Sequence, residues 1–317
     1  MAINNFFRDV ALAMAKKQSK MIDATTEEAP ILASMPMEEA SHGLRNVYES
    51  LKDVDGAQLI NLDDELPSIN ADGTLEYQDL SVLGGIIRVG EDKARKMGGA
   101  ITYFSKKMPS ILRETGANTE TSFIYNNFLP YAKANSKQQL AGGSTATSQY
   151  SMFAVKWTQG EITGLYDPEG FGNGKVFDIM PVNGGNIYEY TDSDSLTKLV
   201  YGQRIKTYIA LQLANPRYVA SIRNIELTAD ATTDTGYKAL PTENMIDQML
   251  IDARATSGNS FIYCHPAVKA ALGAYKGSAL QMAPVDGDQN RVVATWNGIP
   301  IIDSYNFTAG TEAVATA

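Results

Sequence analysis

Cysteine and histidine are almost missing from this chain. Cys264 is the only thiol, and His42 and His265 are the only imidazoles. A single cysteine excludes an internal disulfide framework and fits synthesis in a reducing cytoplasm. Two histidines far apart, with one cysteine, leave no His/Cys cluster to hold a metal. The Gly-x-Ser-x-Gly elbow of serine hydrolases is absent. Positive charge is in deficit, with 27 Lys and Arg against 36 Asp and Glu, a net charge of −9 and a pI near 4.9. That balance argues against a dedicated nucleic-acid binder. No apolar run approaches the roughly 20 residues that span a bilayer, so no membrane partner is expected. The start of the chain places Arg8 and Asp9 where a signal peptide would need its apolar stretch, and no secretory leader is predicted.

The remaining candidate chemistry reads more simply as structure. Gly170-Phe-Gly172-Asn-Gly174-Lys175 resembles a phosphate-cradling loop but lacks the following Ser or Thr, and no helix signal follows it. Cys264 and His265 are adjacent on a strand, so they point to opposite faces and cannot share a proton. Cys264 is predicted in the core, and His265 as a cap on a helix starting at Pro266. The carboxylate pairs Asp192/Asp194 and Asp286/Asp288 lack a calcium-loop pattern and read as solvated turns. The sequence therefore predicts no catalytic residue, no cofactor and no metal site.

What is present is extended chain. Residues 197–226 read as two long strands broken at Asn215-Pro216. On the first, Tyr201, Gln203, Ile205, Thr207, Ile209, Leu211 and Leu213 share one face, as period-2 geometry requires. Ser151 to Trp157 is nearly all apolar, a strand buried on both sides, and a hairpin is predicted around Thr158-Gln159-Gly160. Between Ser105 and Tyr125 a helix is predicted, with Ile111, Leu112, Thr115, Thr119 and Phe123 facing one way. Gly116 costs that helix about 1 kcal/mol relative to Ala. Residues 36–87 carry short strand-like runs between Pro36, Gly43, Gly56, Pro67 and Gly73 and read as a protruding hairpin. Thr242 is an N-cap candidate for a helix with an apolar stripe at Met245, Ile246, Met249, Leu250 and Ala253. Residues 1–20 suggest a short amphipathic helix through Phe7, Val10 and Met14, 136–149 reads as a polar loop, and 167–196 as loops with short strands.

The long-strand region also resembles a family. The cadence Arg217-Tyr218-Val219 followed by Ile222-Arg223-Asn224-Ile225 is similar to that of tailed-phage major capsid proteins of the Hong Kong 97 fold. The likeness continues in order through 29–40, 123–127, 151–171, a helix from Glu243, 261–272 and 296–307. The resemblance implies an α+β subunit with an N-terminal arm (1–35) and an extended loop (36–87). A peripheral domain with a long spine helix (88–130 and 190–226) and an axial domain (131–189 and 227–317) complete it. It further implies a structural protein, not an enzyme, that assembles with itself into hexameric and pentameric capsomers of an icosahedral head around double-stranded phage DNA. A nanocompartment shell of the encapsulin type has the same fold and is the alternative, distinguished by cargo and shell size. Expected partners are scaffold and portal proteins, with a decoration protein as a further candidate. DNA contact would be weak and nonspecific, through the arm at Arg8, Lys16, Lys17 and Lys20, which suits an acidic wall. The implied location is the virion, after synthesis in the bacterial host cytoplasm. Lys52 is eligible for the Lys–Asn cross-link of some relatives, but no Asn partner is identifiable.

The charge map adds one specific expectation. Residues 45–79 hold nine acids and two bases, whereas 88–107 hold six bases and two acids. Two solvated faces would account for this. In a protein that contacts copies of itself, complementary patches have a use. The acids Asp63, Asp64 and Glu65 of one subunit are therefore expected near Lys93, Arg95, Lys96, Lys106 or Lys107 of its neighbour.

Overall fold

Extended chain dominates the molecule, and the longest strand organises half of it. A computed structural model describes residues 29–61, 65–96, 98–145, 148–167, 177–191, 197–275, 280–285, 288–308 and 310–316. β10 (Thr197–Leu213) runs for seventeen residues, about three times the usual strand length. Along one edge it pairs with β4 (Ser81–Gly90). The other edge is shared in turn by β9 (Tyr188–Thr191), β8 (Phe177–Pro181) and β7 (Ile162–Tyr166), with β1 (Met37–Glu39) parallel beyond β7. Ile205, Thr207, Ile209 and Leu211 are buried, as alternation predicts. Ala210 and Gln212 are buried as well, so the strand's C-terminal end is covered on both faces.

The second sheet is ordered β12 (Tyr237–Ala239), β11 (Val219–Ala229), β6 (Tyr150–Lys156), β13 (Ser260–Cys264), β16 (Ile299–Asp303), β15 (Asp288–Trp296), β14 (Leu280–Val285). β5 (Gln138–Leu140) lies parallel to β11. Alternation along its central strands divides two cores. Phe153, Val155 and Tyr263 point to one, and Met152, Ala154, Ile262 and Cys264 to the other.

The predicted hairpin at Thr158-Gln159-Gly160 exists as a turn, with Thr158 N–H donating to Ile162 C=O at 3.4 Å. Its two strands nevertheless part: β6 joins the second sheet and β7 the first. The turn at Asn215-Pro216 parts β10 from β11 in the same way. A strand buried on both faces needs hydrogen-bonding partners along both edges. β6 finds them in β11 and β13, and β7 in β10 and β1. The two turns are stitched side by side. Lys156 N–H donates to Tyr218 C=O at 2.9 Å, Ala214 N–H to Glu161 C=O at 2.8 Å, and Gln212 Nε2 to Gly160 C=O at 2.7 Å.

The predicted helix is longer than its sequence signal. α3 (Ala100–Ser122) passes through a π-turn (Phe123–Phe128) into α4 (Leu129–Ala134). The extra residue of the π-turn re-aims the apolar stripe, so Phe123, Ile124, Phe128 and Leu129 are all buried. Phe128 stacks on Phe153 at 4.8 Å, and Trp157 Nε1 donates to the Tyr263 hydroxyl at 2.9 Å. α1 (Pro30–Ser34) packs into the same core through Ile31 and Leu32, and α2 (Glu91–Lys96) precedes α3. α5 (Glu243–Asp252) is capped by Thr242 Oγ1, which accepts from Met245 N–H at 3.3 Å. α6 (Pro266–Ala271) is capped by His265 Nδ1, which accepts from Ala267 N–H at 3.1 Å. Both caps are as the sequence predicts, and such caps contribute about 1 kcal/mol each.

Candidate assembly surface

β2 (Arg45–Val54) and β3 (Ala71–Asp79) form a two-stranded sheet of their own, in register from Arg45↔Asp79 to Val54↔Ala71. At its base the Arg45 guanidinium donates to Asp79 at 2.6 and 3.3 Å and lies 4.3 Å over the Tyr77 ring. That pair is exposed and screened by solvent, so it contributes little. Asn46 donates to Gln212 of β10, and Tyr48 donates to Glu76 at 3.3 Å. Burial pushes the Tyr131 phenol of α4 upward, with Tyr48 and Glu76 of the hairpin adding to the shift.

Away from the base the hairpin is uncovered. Leu51 and Val54 are each 59% exposed, Leu66 82% and Leu75 73%. Burying one such side chain is worth about 1.5–3 kcal/mol, and an isolated two-stranded hairpin is marginal in water. Apolar groups held out on a thin, acidic arm make an exposed surface of the kind that marks an interaction site.

Of the predicted contact residues, Asp63 and Asp64 lie outside the described residues, and Glu65 is exposed near the arm's tip. The five bases come together on two consecutive helices. Lys93, Arg95 and Lys96 are exposed on α2, and Lys106 and Lys107 on the first half of α3. Arg95 is paired with Glu91 at 2.6 Å, and the Lys93 ammonium lies 5.5 Å from the Tyr103 ring centroid. Among the described residues no ion pair joins Glu65 to any of these bases within one subunit.

Cys264 is fully buried, and burial pushes its thiol up to about 12, the range of an inert core cysteine. Burial also lowers the His265 imidazole, consistent with a neutral cap. Among the described residues no group of three His, Cys, Asp or Glu could hold a metal. The segments carrying Gly170–Lys175, Asp192/Asp194 and Asp286 lie outside the described residues, as does the arm through residue 28.

Three covered carboxylates escaped the sequence reading. Glu120 of α3 accepts from Ile31 N–H at 2.9 Å, Leu32 N–H at 3.4 Å, Asn306 Nδ2 at 3.0 Å and Ser304 Oγ. It thereby ties α1 to the chain after β16, and burial raises it above the ordinary carboxylate range. Glu312 accepts from Tyr125 and Ser151 and lies 3.8 Å from Arg223; burial raises it too. Glu226 sits near the surface under the loop it holds. It accepts from Ser144 and Thr145 N–H, each at 3.2 Å, from Thr145 Oγ1, and from Lys238 Nζ at 3.0 Å. Those bonds, led by the Thr145 hydroxyl, hold it down to about 2. Glu120 had a signal: it falls four residues after Gly116 and four before Ile124, an acid on an apolar stripe.

A family model described as major capsid protein GP7 matches residues 123–314. Among solved structures, a chain from bacteriophage Epsilon15 is 14% identical, with 87% of each chain covered and a TM-score of 0.51. The bacteriophage JBD30 capsid is 11% identical, covering 91% of this chain and 92% of that one, with a TM-score of 0.53. The holo-SrpI encapsulin complex of Synechococcus elongatus PCC 7942 is 8% identical over 63% of this chain and 88% of that one, at a TM-score of 0.40. No curated protein matches the sequence. The architecture is thus the α+β fold of phage capsid proteins.

Proposed function

The chain belongs to the major capsid protein GP7 family, so it is a structural subunit of a phage capsid, and on that premise we propose how it joins its neighbours. The hairpin Arg45–Asp79 is the extended loop of the subunit. The long helix with the sheet of β10 forms the peripheral body, and the sheet of β6, β11 and β13 with α5 and α6 the axial body. Copies associate as hexameric and pentameric capsomers of an icosahedral head, with scaffold and portal proteins as partners, in the bacterial host cytoplasm. Double-stranded DNA is enclosed and touched weakly, as the net charge of −9 favours. A nanocompartment role is the less favoured reading, because the matching family model is that of a major capsid protein.

The observation that carries the contact is the arm itself: acidic, with apolar side chains exposed beside the acids, and covered beyond its base by nothing among the described residues. Its acids Asp63, Asp64 and Glu65 dock on the neighbour's Lys93, Lys96, Lys106 and Lys107, with Arg95 already partly engaged by Glu91. Each exposed pair is worth about 0.2–1 kcal/mol and is screened beyond about 10 Å at 0.1 M salt. Repetition around a shell makes the sum matter.

Changing Asp63, Asp64 and Glu65 together to lysine should leave thermal unfolding unchanged and slow or block shell formation at low salt. Reversing Lys93 and Lys96 to glutamate in the same chain should partly restore it. Normal low-salt assembly of the triple variant would refute charge docking and leave the capsid role standing.

A further inference from the structure

β4 has a bare edge. One side pairs with β10 without a break, from Ser81↔Ile209 to Gly90↔Val200. Among the described residues nothing pairs with the other side. The seven residues Ser81 to Ile87 carry no charge, and Val82 and Ile86 are 59% and 43% exposed. Sheets ordinarily blunt such an edge with Lys, Pro, a bulge or a covering segment. This stretch has no Lys or Pro, and its register is regular. Gly84 lies tight against β10, where a Cβ would come within 2.7 Å of Ile205 C=O, while a Cβ at Gly85 would meet nothing within 4 Å. Backbone is thus laid open at the middle of the edge. Beside it, Leu83, Ile87, Ile111 and Thr115 line an apolar hollow of about 420 Å³ between β4 and α3.

Charge resumes where the uncharged run ends. Arg88 is followed by Glu91 and Asp92 on the first turn of α2 and then by Lys93, Arg95 and Lys96, a net of +2 over 88–96. The hairpin is the complement of this edge in every respect. It is acidic, it carries Leu51, Val54 and Leu75 exposed, and among the described residues neither of its strands pairs along its outer edge.

We propose that a strand of the hairpin from a second copy adds to the free edge of β4, continuing the sheet across the subunit boundary. The inference rests on the reading in which the hairpin reaches a neighbour, and goes beyond it by naming backbone hydrogen bonding as the contact. Main-chain bonds supply the attachment, the uncharged run faces the hairpin's apolar side chains, and the hairpin's acids fall toward Arg88 and α2.

Electron microscopy of assembled shells tests this directly. A hairpin strand of a neighbouring copy should lie about 4.8 Å from β4 on its free side. Oxidative cross-linking gives a second readout, because Cys264 is fully buried and stays silent. Val82→Cys is combined with Leu75→Cys for β3, or with Leu51→Cys for β2. Positions 75 and 82 of one chain lie about 20 Å apart along extended strand, so a Leu75→Cys/Val82→Cys disulfide forms only between copies. One of the two pairs should convert most chains to covalent multimers in shells, at least tenfold more than Leu75→Cys with Ile251→Cys. Shells with hairpins seated on the basic helices, β4 bare and no excess cross-linking would overturn the inference and leave charge docking intact. A strand beside β4 supplied by residues 1–28 would also overturn it, and a protein that builds no shell would overturn both.

Discussion

Glu226 and Glu120 are both covered carboxylates, and their surroundings move them in opposite directions. Glu226 is held down to about 2 from an ordinary 4.5, so its contribution to stability is complete above about pH 4.5 and is lost as pH falls toward 2. For Glu120 and Glu312 burial outweighs the hydrogen bonds, and both are raised. Their ionisation costs stability above those raised values, and protonation removes that cost. Acidification from neutral therefore relieves Glu120 and Glu312 first, and then strips out the contribution of Glu226. Thermal unfolding followed by circular dichroism should show Glu226→Gln melting below the parent at pH 7. The gap should close between pH 4.5 and 2; parallel curves would rule the assignment out. The family cadence also acquires a physical reason at this scale. Asn224 adopts a left-handed conformation, φ 58°, at the bulge in β11. Its side chain exchanges bonds of 2.7 and 2.9 Å with the Ala315 backbone, and Arg223 stands 3.8 Å from Glu312. Asn tolerates that conformation better than most residues, so the motif pins the segment 310–316 across the sheet. Nothing in one sequence shows this, because the partner lies some ninety residues away.

At the scale of elements, local signals were readable and partnerships were not. Thr242 and Pro266 mark helix starts by chemistry confined to one turn, and β10 announces itself by alternation. The parting of β6 from β7, and of β10 from β11, depends on which distant strand satisfies each edge, and a tight turn looks the same in either case. The helix ran past its predicted C-terminal end because the π-turn at Phe123–Phe128 shifts its stripe and breaks the 3.6 period that revealed its middle, and it starts earlier than predicted, at Ala100, where Phe104 is already buried. The hairpin was visible as punctuation by Pro and Gly without helix signals, but its bounds were too wide: only Arg45 to Asp79 stands apart, whereas 37–39 and 81–87, expected in it, pair into the sheet of β10. Its independence from the body leads to a prediction. Replacing residues 46–78 by a short turn removes little beyond the Asn46 contact to Gln212 and the Ser41 bonds to Asn46 and Val47. The melting temperature should fall by no more than about 4 °C, the shift expected for roughly 1 kcal/mol, while shell formation is lost. Global unfolding of the deletion variant would show instead that the hairpin is part of the core.

The whole molecule gains nothing from its exposed arm and bare strand edge while it remains alone. Composition hinted at this by exclusion, since one thiol, two imidazoles and no nucleophile elbow leave little material for catalysis. The charge map gave the hint a direction, with acids on the arm and bases on α2 and α3, although it could not show that apolar side chains accompany the acids. Many modest contacts repeated around a closed surface add up to a stable shell in which no single interface is strong. The most direct test is electron microscopy, with sedimentation velocity, of the purified protein at low and high salt, alone and with a candidate scaffold protein. Capsomers, closed shells or tubes are the predicted result. A species that stays strictly monomeric at high concentration under all of those conditions would contradict the account.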